Sequence, residues 1–470
     1  MSSSPAAQPV QTGPAWPDYR AIWRWHFYAG LFTFPFVIIL SISGAIYLFK
    51  PQIEAWKDYA YDHLDLTGTP APPSAQVTAA IAAFPDSKAV GYEIPASPQA
   101  AARVLVQQQE TTYRVYVHPQ SLEILHSLPE DSRFMRQMFK LHGELLLGDR
   151  GSNLVEIASS WTIVMILTGL CLWWPRSLRG LGGILYPRLR MGSRILWRDI
   201  HSVTGIWISL LVLFLLATGL PWAKFWGGYF KGVRQLTGTA VAKQDWTTGS
   251  ERPPAAGGTQ AGGGGEHAGH TGGGNRRRRK SGMPTDLTPL DRVVATVQPL
   301  ALAPPVIVAA PAGDSANWSA KSNAANRPLR VDLTVNGQTG EIVRRENFSD
   351  RHLVDRIVGT CIAAHEGQLF GWPNQLLGLI AALGLIVLSI SGVILWWRRR
   401  DQGVLGAPPP LASPRLSWGL IGAVIALGIY LPLFALTLCL VLIVERVVLT
   451  RIPPVSLWLG LTVAAPREAK

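Results

Sequence analysis

The chain has 470 residues, 48% of them hydrophobic and only 16% charged, with 18 Trp and a formal net charge of +13. So apolar a composition over this length excludes a small solvent-facing globule and fits a membrane protein with interfacial aromatics. The positive balance does not imply nucleic acid, because the arginines gather beside apolar runs, and three Cys (Cys171, Cys361, Cys439) supply no disulfide framework.

Residues 1–20 are rich in Ser, Pro and Gln and predict a disordered cytoplasmic tail. A first transmembrane helix follows at 21–50, with Pro35 predicting a kink. Its end, Leu48-Phe49-Lys50-Pro51, has no small-residue cleavage site, so the run is not a removable signal. Residues 51–131 predict a small α+β module, with a helix at 75–84 and strands at 90–94, 102–108, 112–117 and 122–126. Residues 132–175 hold an amphipathic helix (132–147), a break at Gly148-Asp149-Arg150-Gly151, and a second span at 154–174. A loop at 176–196 leads to a third span at 197–223.

Residues 224–350 predict a second α+β module, with a helix at 289–297 and a hairpin of 329–335 with 341–345 around Asn336-Gly337. Its first part, 224–284, reads as weakly ordered, and 248–284 as a flexible Gly/His/Arg-rich insert. Residues 351–397 give a further helix and a fourth span, 398–415 a loop, 416–449 a fifth helix or a hairpin about Pro432, and 450–470 a tail. Cys171 and Cys439 fall in apolar spans and read as packing residues. Arginines cluster at Arg20 and Arg24, between Arg176 and Arg198, and at Arg398-Arg399-Arg400. By the positive-inside rule these sites are cytoplasmic. The segments 51–153 and 224–374 then lie outside, in the periplasm of a bacterial inner membrane.

Two copies of one pattern run through these segments. His26 to Gly44 and His201 to Gly219 are each 18 residues apart, and His142 to Gly169 and His365 to Gly392 are each 27. Such internal repetition predicts two structurally equivalent units packed about a pseudo-twofold axis. Eighteen residues are five whole helical turns, so His26 and Gly44 share a helix face, as do His201 and Gly219. Spans one and three run outward and spans two and four inward. That pairs His26 with His201 at the cytoplasmic level and His142 with His365 at the periplasmic level. Each pair could supply both axial nitrogens to one b-type haem, giving two haems. Thr168-Gly169 and Ser391-Gly392 fall near the inner level, Ser43-Gly44 and Thr218-Gly219 near the outer one. Gly44, Gly169, Gly219 and Gly392 would let a porphyrin approach the backbone.

Arg24 and Arg198 are candidate propionate partners, or topology signals. Trp173-Trp174 and Trp396-Trp397 read as an interfacial belt. Glu144 and Gln368 stand just past their histidines and could polarise them, or form a solvated face. His267 and His270 are weak metal candidates in a floppy Gly tract. His63, His118, His126 and His352 have no repeat partner and read as surface residues.

Trp23-Arg24-Trp25-His26, Ser41-Ile42-Ser43-Gly44, Lys140-Leu141-His142-Gly143 and Thr168-Gly169-Leu170-Cys171-Leu172-Trp173-Trp174, with their copies near His201, His365 and Ser391-Gly392, resemble the PepSY-associated transmembrane family over about residues 20–400. The resemblance implies that the α+β modules are PepSY-like. It further implies a relation to periplasm-facing reductases of ferric siderophores, of the ferrioxamine type, which carry haem in the membrane. The fold expected is a mainly α membrane protein: duplicated two-helix units around a haem-binding four-helix bundle, each with a small periplasmic α+β module, plus a C-terminal helix or hairpin. No stretch reads as a flavodoxin-like domain, so the electron donor, a cytoplasmic protein or quinol, is open.

The leading expectation is therefore an electron conduit that reduces a periplasmic ferric siderophore, since ferrous iron leaves hard oxygen ligands more readily. A membrane-anchored PepSY regulator of periplasmic peptidases, without haem, is the alternative. A transporter of the chelate ranks last, because Glu156 is the one carboxylate clearly within the first four spans.

Overall fold

The computed structural model describes residues 19–175, 180–239, 282–311, 315–410 and 417–461. In chain order the helices are α1 (Tyr19–Leu48), α2 (Lys50–Lys57), α3 (Tyr59–Asp62), α4 (Pro73–Ala82), α5 (Phe134–Glu144), α6 (Asp149–Trp173) and α7 (Ser193–Gly219). They continue with α8 (Lys224–Leu236), α9 (Thr288–Val297), α10 (Leu353–His365), α11 (Trp372–Arg399), α12 (Trp418–Tyr430), α13 (Pro432–Val447) and α14 (Pro453–Leu459). The strands are β1 (Ser87–Ile94), β2 (Ala102–Gln108), β3 (Thr111–Val117), β4 (Ile124–Pro129), β5 (Val306–Ala309), β6 (Asn317–Ser322), β7 (Val331–Asn336) and β8 (Ile342–Asn347). Among the described residues, five helices are long and apolar enough to cross a membrane: α1, α6, α7 continued to Trp222, α11, and Pro432–Arg451. Pro35 lies inside α1 without ending it.

The chain divides into two compact units. The first comprises Met1–Ser41, Leu154–Leu216 and Leu383–Lys470, the second Ile42–Asn153 and Ala217–Ala382. In the first unit α13 docks on α6, where Trp161 Nε1 donates to Thr437 Oγ1 at 3.0 Å and its ring meets Phe434 edge-on at 5.1 Å. The fifth apolar stretch is two helices, α12 and α13, meeting at Leu431 in front of Pro432, which lacks the N–H to continue a helix. Cys171 and Cys439 are exposed on their helices, which corrects their reading as packing residues.

The second unit contains an eight-stranded antiparallel sheet of order β4-β3-β2-β1-β5-β6-β7-β8. Both predicted α+β segments contribute to it, the first with β1–β4 and the second with β5–β8. Tyr92, Glu93 and Ile94 of β1 pair with Val308, Ile307 and Val306 of β5, so both α+β segments share one sheet. Strand β5 is four apolar residues behind Pro304-Pro305, and β6 is polar at four of its six residues, which hid both in the sequence. Helices α4 and α9 cover one face, with Val77, Ala80, Leu290, Val293 and Val297 packed on Val104, Val106, Val308, Ala320 and Leu333. Ser74 at the start of α4 donates through N and Oγ to the Asp291 carboxylate of α9, at 2.8 and 2.6 Å.

The other face is ionic. Arg103 reaches Asp62 at 2.6 Å, Arg114 reaches Glu93 at 2.6 Å and Glu130 at 2.8 Å, and Arg133 reaches Glu54 at 2.7 Å. Two further expectations change. Residues 224–236 form the regular helix α8 rather than weakly ordered chain. Residues 282–284, read as the end of the insert, are held in place: Met283 N donates to Ala89 O at 2.7 Å and its side chain packs on the sheet core. The rest of the insert, with His267 and His270, lies outside the described residues.

Short breaks between helices set where His142 and His365 sit. Helix α5 ends in left-handed residues, Leu145 at φ 49° and Leu146 at φ 59°. A Cβ on Gly151 would lie 1.6 Å from Glu144 O, so only glycine permits α6 to start so close. Gly367 and Gly371, both at φ 73°, make the corresponding break between α10 and α11.

Candidate functional site

Four histidines form two facing pairs, one in each unit. In the first unit His26 of α1 and His201 of α7 have ring centres 6.3 Å apart and planes crossed at 85°. In the second, His142 of α5 and His365 of α10 are also 6.3 Å apart, crossed at 74°.

Each ring is fixed through Nδ1. His26 Nδ1 lies 2.9 Å from Met165 O and 3.2 Å from Thr168 Oγ1. His201 Nδ1 lies 3.1 Å from Leu388 O and 3.1 Å from Ser391 Oγ. Thr168 Oγ1 donates its own proton to the carbonyls of its helix, as does Ser391 Oγ to Leu388 O. Both hydroxyls are therefore acceptors toward imidazole, and a carbonyl can only accept. The proton sits on Nδ1 and the lone pair on Nε2, the arrangement a metal-ligating histidine needs. In the second unit Ser43 Oγ stands 3.2 Å from His142 Nδ1 and Thr218 Oγ1 stands 3.0 Å from His365 Nδ1.

The glycine after each hydroxyl residue lies under a ring. A Cβ would approach His142 Cε1 to 2.9 Å from Gly44 and His26 Cε1 to 3.0 Å from Gly169. From Gly219 and Gly392 the corresponding distances to His365 and His201 Cε1 are 3.4 Å. The structure thus joins each predicted histidine to a predicted glycine. The Ser/Thr hydroxyls as orienting groups went unread in the sequence, although their constant place before each glycine was the signal.

A separation of 6.3 Å also suits an ordinary edge-to-face ring contact. It equally suits a single metal held between two imidazoles. Two metal–nitrogen bonds of about 2.0 Å, with roughly 1.15 Å from each nitrogen to its ring centre, place the centres about 6.3 Å apart. Among the described residues no three His, Cys, Asp or Glu side chains gather to hold a bare ion. A site offering two imidazoles suits a metal group that brings its remaining ligands with it.

The second-unit pair has an aromatic wall that the sequence did not announce. The Trp222 ring lies 5.9 Å from His365, Phe139 lies 6.3 Å from Trp222, and Tyr47 lies 6.0 Å from Phe139. Arg327 sits over Trp222 at 5.8 Å and Arg136 over Phe139 at 5.0 Å.

The two arginines expected near propionates are engaged elsewhere. Arg24 donates to the carbonyls of Pro408 and Gly460, and Arg198 to the carboxylate of Asp199 at 3.0 Å. Asp199, fully buried, also takes Arg188 Nε at 2.7 Å and its backbone N at 3.1 Å. Each residue two places before its histidine, Arg24 and Asp199, thereby pins a loop. Trp173 Nε1 donates to Ile184 O at 3.1 Å and Trp396 Nε1 to Leu405 O at 2.7 Å, while Trp174 and Trp397 are exposed. The first Trp of each doublet is thus a loop anchor, and only the second fits the expected belt.

Gln368 Nε2 donates to the carbonyls of Leu48 and Glu366, a structural tie, and Glu144 closes α5. The unrepeated histidines also do local work. His118 Nδ1 accepts from Gln120 N and Ser121 N, His352 caps α10, and His63 and His126 stack on Tyr59 and Tyr61.

Apolar helices of this length and number, together with an antiparallel sheet flanked by short helices, define a multi-pass membrane protein. The chain belongs to the PepSY-associated TM region family, whose pattern matches residues 23–399. No curated protein matches the chain.

Proposed function

We propose that the protein is a haem-carrying oxidoreductase that conducts electrons across a bacterial inner membrane to a ferric siderophore on its periplasmic side. The observation that carries this reading is the shared build of the two histidine pairs. Each pair has two imidazoles at the spacing of a bis-histidine metal centre, with Nδ1 held by a Ser or Thr and a glycine beneath the ring. Two b-type haems, one per pair, would supply one-electron chemistry. The chain's own part is to hold His26 and His201 in the ligating tautomer, to orient His142 and His365 through Ser43 and Thr218, and to clear space beside the four rings at Gly44, Gly169, Gly219 and Gly392. Main-chain acceptors at Met165 and Leu388 fix the ring orientation of His26 and His201. The matching order of elements in the two halves, α4 with β1–β4 and α9 with β5–β8, supports descent of both from one duplicated unit.

The test is a reduced-minus-oxidised visible spectrum of the detergent-purified protein, with a pyridine haemochrome count per chain. Two b-type haems are expected, one lost in His26→Ala and the other in His142→Ala. Folded protein without haem would overturn the proposal and leave an anchored module that binds periplasmic peptidases as the better account.

A further inference from the structure

The two rings of each histidine pair stand close to a right angle, at 85° for His26 and His201 and at 74° for His142 and His365. In the first unit two different helices impose that crossing. Helix α6 receives one edge of the His26 ring: Nδ1 meets Met165 O at 2.9 Å and Thr168 Oγ1 at 3.2 Å, and Cε1 lies 3.0 Å from where a Cβ on Gly169 would stand. Helix α11 receives the same edge of His201, with Nδ1 3.1 Å from both Leu388 O and Ser391 Oγ and Cε1 3.4 Å from a Cβ position on Gly392. That edge, together with the bond to Cβ, fixes each ring plane. Neither ring can turn into the plane of the other without leaving its Nδ1 acceptors. In the second unit Ser43 and Gly44 meet the same edge of His142, and Thr218 and Gly219 that of His365.

Resting on the haem-carrying reading above, we infer that both centres are crossed-plane bis-histidine haems, and that Met165, Thr168, Leu388 and Ser391 are positioning residues that set the electronic state of the first-unit iron. The reason lies in the iron orbitals. The π system of an axial imidazole acts on whichever of the two iron d orbitals of π symmetry it is aligned with. Parallel rings act on the same orbital and split the pair. Perpendicular rings act on one orbital each and leave the pair nearly degenerate. Low-spin ferric iron has one hole in that pair and gains from a splitting, whereas ferrous iron has the pair filled and does not. Crossed rings therefore disfavour the ferric state and raise the midpoint potential above that of a parallel pair, with ligand orientation as the protein's lever. For an electron conduit this eases loading from the donor and lessens the driving force toward the acceptor.

The test is electron paramagnetic resonance of the oxidised, detergent-purified protein at liquid-helium temperature. Near-degenerate orbitals give a strongly anisotropic signal with one dominant feature at low field, and parallel rings give a three-line rhombic spectrum. The first form is expected for both centres of the wild type. A rhombic spectrum from haem-loaded protein would overturn the inference and leave the proposed function standing, whereas folded protein without haem would overturn both. His201→Gly supplied with free imidazole then separates the ligand from its tether. The added ring is free to turn, so the first-unit signal should become rhombic and its midpoint potential should fall in a redox titration, while the second-unit signal stays as it was. A low-field signal that persists from the rescued first-unit centre would overturn the positioning role of Leu388 and Ser391. The wild-type spectrum decides the crossing even if His201→Gly fails to fold or to take up haem.

Discussion

The hydroxyl beside each first-unit imidazole, Thr168 or Ser391, does two jobs at once: it spends its proton on its own helix and turns a lone pair toward Nδ1. Thr168→Val keeps the volume and removes that acceptor, leaving Met165 O as the remaining partner of His26 Nδ1. On the proposed reading, Thr168→Val retains its haem but shifts the midpoint potential of the first-unit centre, while the second-unit centre stays put in the same redox titration. The glycines divide into two classes by clearance. Ala at Gly44 or Gly169 forces its histidine ring to move, whereas Ala at Gly219 or Gly392 adds a Cβ at ordinary van der Waals distance. Gly44→Ala should therefore lose most of one haem absorbance and Gly392→Ala little, as read by the haemochrome count. The four histidines and four glycines were legible in the sequence because a repeat exposes them. The partner of Arg24 was not, because nothing local says whether a guanidinium faces a ligand or a carbonyl 384 residues away.

Elements with a strong period were legible, and those made by partners were not. The apolar runs placed α1, α6, α7 and α11, and alternation placed β1 to β4 within a few residues. Helix α8 was missed because its three glycines, Gly227, Gly228 and Gly232, weigh against a helix, and because tertiary contacts stabilise it. Chief among these is the Arg234–Asp355 pair, with the two side chains only 2% and 6% exposed. Removing one charge from such a pair leaves the other buried without its counter-ion, at a cost of about 3–5 kcal/mol, whereas replacing both by apolar groups is often near neutral. Arg234→Met should accordingly lower the thermal midpoint of the purified protein well below wild type, and the double variant Arg234→Met/Asp355→Leu should recover most of the loss. Equal destabilisation in both would show that the pair is not what fixes α8 to α10.

At the scale of the molecule, the joining of the two α+β segments through β1 and β5 could not be read from sequence, since each segment has its own hydrophobic pattern and pairing partners across roughly 200 residues leave no local trace. What that joined sheet does have is an ionic face. Arg103, Arg114 and Arg133 bridge Glu54 and Asp62, which lie just after α1, to Glu93 on β1 and Glu130 before α5. Burial by itself would raise the Glu130 carboxyl, but the guanidiniums of Arg114 and Arg133 outweigh it and hold the group down to about 2. In the unfolded chain a glutamate titrates near 4.3. A folded value below the unfolded one means that the stabilisation is complete above about pH 5 and is lost as the pH falls through 4 toward 2. Its size is of the order of 3 kcal/mol. Glu130→Gln removes the charge at every pH. The variant should be less stable than wild type at pH 6, and the gap should close as melts are repeated down to pH 3 and below. A gap of the same size at pH 6 and pH 3 would mean that the Glu130 carboxyl takes up protons equally in the folded and the unfolded chain, and so that Arg114 and Arg133 do not hold it down.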